Sequence, residues 1–154
     1  MRVLLRLVLD CDPDAAWRFI RSPAGLTKVS RPFLAFESLE DDGFPELWPA
    51  GDHPVLVKAF GLLPLGRQLI RISYPRPERG ARTVRDTGAG ISGIFTVVRR
   101  WNHTMSVSAL PHGKTIFRDE LLFDAGIISP LLWVSYWLFW QWRGRVIRRI
   151  TRRR

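Results

Sequence analysis

Residues 99–124 read RRWNHTMSVSALPHGKTIFRDELLFD. Two segments, 99–109 and 114–124, alternate in polarity with a period of two, the period of a strand. Leu110-Pro111-His112-Gly113 between them carries turn chemistry, so the stretch is predicted as a β-hairpin. In the first segment Trp101, His103, Met105 and Val107 share one face, and Asn102, Thr104, Ser106 and Ser108 the other. In the second, Thr115, Phe117, Asp119, Leu121 and Phe123 oppose Ile116, Arg118, Glu120, Leu122 and Asp124. The more apolar face of each strand is expected to point inward. That places His103 and Asp119 together on the inner face of adjacent strands, where opposite or diagonal side chains touch. A carboxylate beside an imidazole fixes its tautomer, as in a general acid/base pair. The same two residues also read as a buried polar pair that only satisfies itself and fixes register.

Outward from the hairpin, residues 2–9 (RVLLRLVL) put Val3, Leu5, Leu7 and Leu9 on one face of a first strand. Asp12-Pro13-Asp14 starts a short helix to about Ile20, and Ser22-Pro23 starts a second that ends before Arg31-Pro32. Strands follow at 33–39, at 55–60, at 67–74 after a turn read in GLLPLG (61–66), and at 82–87. The segment IFTVVRRW (94–101) also reads as strand-like. A long helix is predicted from about Ser129 to the C-terminus, with Ser129 as cap and Pro130 in its first turn. Strands succeeding one another at hairpin spacing make the sheet antiparallel and the class α+β. A long helix closing such a sheet must lay an apolar face on it, and a sheet curved around that helix encloses a cavity.

The 154 residues suffice for one domain with a real core, and no linker or repeat divides them. The net charge of +10 invites a polyanion reading, but its position argues otherwise. Seven of the last twelve residues are Arg and none is acidic, while the first 142 carry 17 basic and 14 acidic residues. The body lacks a basic stripe interleaved with aromatics, which counts against nucleic acid. One cysteine, Cys11, excludes a disulfide framework, and fits a reducing, cytoplasmic location. Its neighbours Asp10 and Asp12 do not activate a thiolate. Three scattered histidines suggest no metal site, and no cofactor is expected. Gly88-Ala89-Gly90-Ile91-Ser92-Gly93 matches G-x-G-x-x-G, but a strand-like segment follows where a dinucleotide site needs a helix. It is read as a loop, lying over the mouth of the cavity.

Residues 127–142, IISPLLWVSYWLFWQW, are uncharged, but they reach only ~24 Å against a hydrocarbon core of ~30 Å. On helical spacing, Leu132, Tyr136, Phe139, Val146, Ile147 and Ile150 form a core stripe, and Trp133, Trp137 and Trp140 a second stripe beside it. The second stripe calls for another cover: ligand, partner chain in a homodimer, or membrane interface. Arg143, Arg145, Arg148, Arg149 and Arg152 read as a basic helix end suited to anionic headgroups.

The element order resembles the START-like, or SRPBCC, superfamily of helix-grip proteins. The residues that carry the resemblance are Asp12-Pro13, GLLPLG, and WNHTMSV with GKTIFRDELLFDAG before the last helix. The resemblance covers nearly the whole chain and points to an uncharacterised bacterial subgroup. It implies a single START-like domain over 1–154, with 143–154 as a basic helix end. The implied architecture is a curved sheet of about six to seven strands, two short helices after the first, and a long C-terminal helix in its grip. It also implies binding of a hydrophobic small molecule, such as a lipid or polyketide. Trp101, Met105, Phe117, Leu121, Trp133, Tyr136, Trp137 and Trp140 are the candidate ligand contacts. The alternatives are a cyclase or dehydratase using His103 and Asp119, and a peripheral membrane adaptor using the tryptophans and the Arg tail.

Overall fold

A computed structural model describes residues 1–152. Strand β1 (Arg2–Leu9) is followed by helices α1 (Pro13–Ile20) and α2 (Pro23–Ser30). Strands β2 (Leu34–Ser38), β3 (Gly51–Ala59), β4 (Leu63–Ser73), β5 (Arg82–Asp86), the two-residue β6 (Ala89–Gly90), β7 (Arg100–Leu110) and β8 (Lys114–Asp124) precede helix α3 (Ser129–Ile150). The sheet is antiparallel throughout, in the order β1-β8-β7-β5-β4-β3-β2, with β6 beside β4. It curves around α3. The class is therefore α+β and the architecture the helix grip, with eight strands once the short β6 is counted.

Local chemistry explains the ends of the elements. Asp12 caps α1 by accepting the Ala15 N–H at 2.9 Å, and Ser22 caps α2 by accepting that of Gly25 at 2.9 Å. The β7–β8 hairpin turns through Pro111–Gly113, where His112 and Gly113 both have positive φ. Alternation then does what the period of two requires. Val3, Leu5, Leu7 and Leu9 of β1, and Thr115, Phe117, Asp119, Leu121 and Phe123 of β8, are all buried.

Helix α3 lies across β1 with Gly144 at the crossing, where a Cβ would meet the Leu5 side chain at 3.1 Å. Two tryptophans fasten it along its length. The Trp133 indole donates to the Arg2 carbonyl at 2.7 Å, and that of Trp142 to the Arg31 carbonyl at 2.8 Å. Ser129 is the first helical residue, and its hydroxyl accepts from Ala125 N–H at 2.8 Å; the flanking cap position belongs to Ile128.

Two segments differ from the sequence expectation. The β3–β4 turn is tighter than GLLPLG suggested, with β4 already begun at Leu63 and a bulge at Val57/Lys58. Residues 93–97 form a 3₁₀ helix instead of a strand. Gly93 has φ +68°, and a Cβ there would lie 2.1 Å from the Leu65 carbonyl oxygen. The chain passes hard against the start of β4 at that point, so the residues after it turn aside and do not extend.

Candidate functional site

The concave side of the sheet, α2, α3 and the 93–97 segment enclose a cavity of about 810 Å³. That lies in the upper range of small-molecule sites. Its wall is mainly apolar, with Val29, Phe36, Ile70, Ile72, Phe95 and Phe139 among the lining residues. Phe33, Ile94, Val97 and Leu138 line it and are also exposed to solvent, so they mark its mouth.

The polar residues of the wall converge. Met105 faces Asp119 across the β7–β8 ladder and Leu121 faces His103, so His103 and Asp119 are diagonal neighbours. His103 Nε2 lies 2.6 Å from Asp119 Oδ1. The Trp140 indole N–H donates to the same oxygen at 2.9 Å, and Arg143 Nη2 donates to Oδ2 at 3.0 Å. Asp119 is completely buried. Burial pushes its carboxyl up, but the charges of Arg143 and His103, with the hydrogen bonds from His103 and Trp140, together outweigh it. The net effect holds Asp119 below the usual carboxylate range. An ionised Asp119 accepts only, so Nε2 carries the proton it shares and Nδ1 is left. Among the described residues nothing pairs with Nδ1, and the His103 ring lines the cavity.

On the other side of His103 stands Asp86, its cross-strand partner on β5. Burial pushes the Asp86 carboxyl up, against N–H donors from Gly88, Arg71 and Trp101. Edge-to-face rings frame the group: Trp101 on Tyr136 at 5.7 Å, Tyr136 on Trp140 at 6.2 Å, and His103 on Trp140 at 5.2 Å. Burial also pushes the Tyr136 phenol up to about 12.

Of the residues singled out in the sequence, His103, Trp101, Met105, Phe117, Tyr136 and Trp140 line the cavity, and Asp119 stands directly behind them. Three candidate contacts do not. Leu121 is fully buried in the core, Trp133 is spent on the Arg2 carbonyl, and Trp137 faces solvent at 42% exposure. The tryptophan stripe thus divides, because Trp140 falls in line with Tyr136 and Ile147 and turns inward. The reading of Arg143 as a solvent-facing anion contact is corrected. It is buried against Asp119, with its guanidinium 4.9 Å over the Trp140 ring. Arg145, Arg148, Arg149 and Arg152 are exposed, and Arg145 also borders the cavity. Asp86, Ser30 and Trp48 line the cavity without having been anticipated. Asp86 could have been found, since it closes the inward-facing set of its strand with Val84.

The glycines of the G-x-G-x-x-G segment serve packing. A Cβ on Gly88 would lie 1.7 Å from the Leu69 carbonyl oxygen, and one on Gly90 2.2 Å from that of Phe95. Among the described residues no cluster of His, Cys, Asp and Glu is placed to hold a metal ion. No helix among them is long and apolar enough to cross a membrane.

Solved structures share this architecture over nearly their full lengths. A Chromobacterium violaceum protein superposes with a TM-score of 0.69 at 17% identity, over 99% of each chain. The Zhui aromatase/cyclase of a Streptomyces species gives 0.63 at 11% identity, covering 98% of this chain and 93% of its own. A truncated norcoclaurine synthase from Thalictrum flavum gives 0.64 at 10% identity, covering 100% and 94%. No family model and no curated protein matches the sequence. At these identities the likeness establishes the fold. The chain has the helix-grip fold, the fold also of the aromatase/cyclase and the norcoclaurine synthase.

Proposed function

We propose that this chain binds a hydrophobic small molecule, of lipid or polyketide size, in the cavity between sheet and α3, and holds or carries it. The observation behind this reading is the cavity itself: about 810 Å³ of mainly apolar wall with a bordered mouth. Natural interiors are close-packed, with few voids larger than a water molecule, so an apolar space of this size needs an occupant. Trp101, Met105, Phe117, Tyr136 and Trp140 would contact it. Native mass spectrometry of the purified protein, with organic extraction, is expected to reveal a lipid-like mass that denaturation releases. A bare chain that also fails to enhance the fluorescence of N-phenylnaphthylamine would overturn the reading.

A second reading, an enzyme of cyclase or dehydratase type, draws on the His103–Asp119 geometry. His103 would move a proton through Nδ1, and Asp119 would orient the ring and balance its charge. Two structural neighbours, an aromatase/cyclase and a synthase, lend it support by analogy. Its test is His103→Gln on any turnover found. A rate unchanged from wild type would rule out the acid/base role.

A further inference from the structure

Arg143 is more than the counter-charge of Asp119. Its side chain is 6% exposed and lines the cavity. Among the described residues only Nη2 has hydrogen-bond partners, Asp119 Oδ2 at 3.0 Å and the Met105 thioether at 3.6 Å. Nε is enclosed without any, and among the described residues nothing pairs with Nη1. A guanidinium has five N–H donors, and leaving buried donors unmade is costly. Ser30, on the α2 side of the same cavity, also encloses a hydroxyl with no hydrogen-bond partner among the described residues. We propose that the guanidinium of Arg143 anchors the ligand, through an uncharged oxygen acceptor such as a ketone or ester carbonyl carried on an apolar body.

The charges around the site select an uncharged head. Asp119 already balances Arg143, and Asp86, which faces His103 on the same wall, is a second acid. A ligand carboxylate would add negative charge beside these acids in an apolar enclosure, where an unpaired ion is poorly tolerated. A carbonyl oxygen accepts from the free Nη1 group and adds none.

This inference rests on the hydrophobic-ligand reading, and one experiment separates the two. N-phenylnaphthylamine is bound to the full chain and displaced by a fourteen-carbon methyl ketone, by the carboxylate of the same length, or by the alkane. In the wild type the ketone is expected to displace the dye at about tenfold lower concentration than either, equivalent to ~1.4 kcal/mol. In Arg143→Lys the ammonium keeps a cation for Asp119 but has one nitrogen only. The advantage of the ketone over the alkane there is expected to fall to about twofold or less. Equal displacement by ketone and alkane in the wild type would overturn the inference, and so would a carboxylate that competes best, or a full ketone advantage kept in Arg143→Lys. The wild-type comparison stands even if the variant does not fold. A dye that never binds refutes the ligand reading itself.

Discussion

Replacing Asp119 by Asn is the sharpest perturbation this fold offers. Asn keeps the shape and an oxygen acceptor but removes the charge, and the charge is what Arg143 needs. The Arg143 side chain is 6% exposed, and Asp119 is its ion-pair partner. Removing one partner of a buried ion pair strands the other, at a cost of about 3–5 kcal/mol. The bond from His103 Nε2 weakens as well, since a charge-assisted hydrogen bond is roughly twice as strong as a neutral one. Against a total stability of about 5–15 kcal/mol, the loss is a third or more for a typical domain. At ~2–4 °C per kcal/mol for a chain of this size, the melting temperature should fall by about 6–20 °C. Urea unfolding with an unchanged m-value would confirm that stability, and not the two-state behaviour, has moved. The double variant Asp119→Asn/Arg143→Met removes the stranded cation, so it should be more stable than Asp119→Asn by about 2 kcal/mol. A single variant within about 1 kcal/mol of wild type, or a double variant whose losses simply add, would refute the reasoning, because the guanidinium would then be adequately solvated through the cavity.

Asp86→Asn reads the opposite shift. The folded chain holds the Asp86 proton more tightly than the unfolded chain, whose carboxyl keeps the ordinary pKa of 3.8. Wild-type stability from this group is therefore full below that value and lost as pH rises through the folded pKa. Denaturation curves between pH 4 and 7 should show Asp86→Asn gaining on the wild type as pH rises, and a constant gap would contradict the shift. Gly88→Ala sets a Cβ 1.7 Å from the Leu69 carbonyl oxygen and should cost several kcal/mol, read as a large drop in melting temperature; a near-neutral effect would show that β4 yields freely. In Tyr74→Phe, ultraviolet titration should show no phenolate much below pH 11, because burial holds Tyr136 up at about 12; ionisation near 10 would mean a wetter wall. For the membrane reading, Arg145, Arg148, Arg149 and Arg152 can be changed to Ser without touching the buried Arg143. Flotation with anionic vesicles should fall sharply if the exposed helix end docks there, and unchanged flotation would remove these residues from that reading.

The hairpin and its polar pair were legible because a strand exposes its faces with a period of two. Once the apolar faces of 99–109 and 114–124 are turned inward, His103 and Asp119 can only converge. Arg143 was hidden by its company. In a run of seven arginines it read as one more solvated charge. Yet it stands seven residues after Tyr136 and three after Trp140, on the inward stripe that continues to Ile147. Position outweighs residue type there, since an arginine on the buried stripe of a helix demands a buried carboxylate, and Asp119 was already placed. The 93–97 segment was not legible by the same means. Ile94, Phe95, Val97 and Val98 have the composition of a strand, and only the close passage of Gly90 against Phe95 and of Gly93 against Leu65 turns them aside. Nor could the sequence reveal that Trp133 and Trp142 spend their N–H groups on backbone carbonyls far away in the chain.

The arrangement around Asp119 bears on whether the cavity is a filled fold or a selective site. A polar cluster kept only to fix the register of β7, β8 and α3 would satisfy its members, as His53 does elsewhere: its two ring nitrogens meet the Glu40 carboxylate and the Pro49 carbonyl, at 3.1 and 2.9 Å. At the cavity wall the accounting is asymmetric. Asp119 receives a donor on each oxygen and two on one of them, while among the described residues Nε and Nη1 of Arg143 find no hydrogen-bond partner. Leaving an enclosed donor such as Nε unmade costs about 1–3 kcal/mol, and a well-packed apolar substitute is often as stable as a buried ion pair or more so. The acceptor is saturated and the donors are spare. An apolar ligand alone would leave that imbalance in place. One that brings an oxygen to Nη1 reduces it, and the fold then gains, on binding, a hydrogen bond that its own residues do not supply.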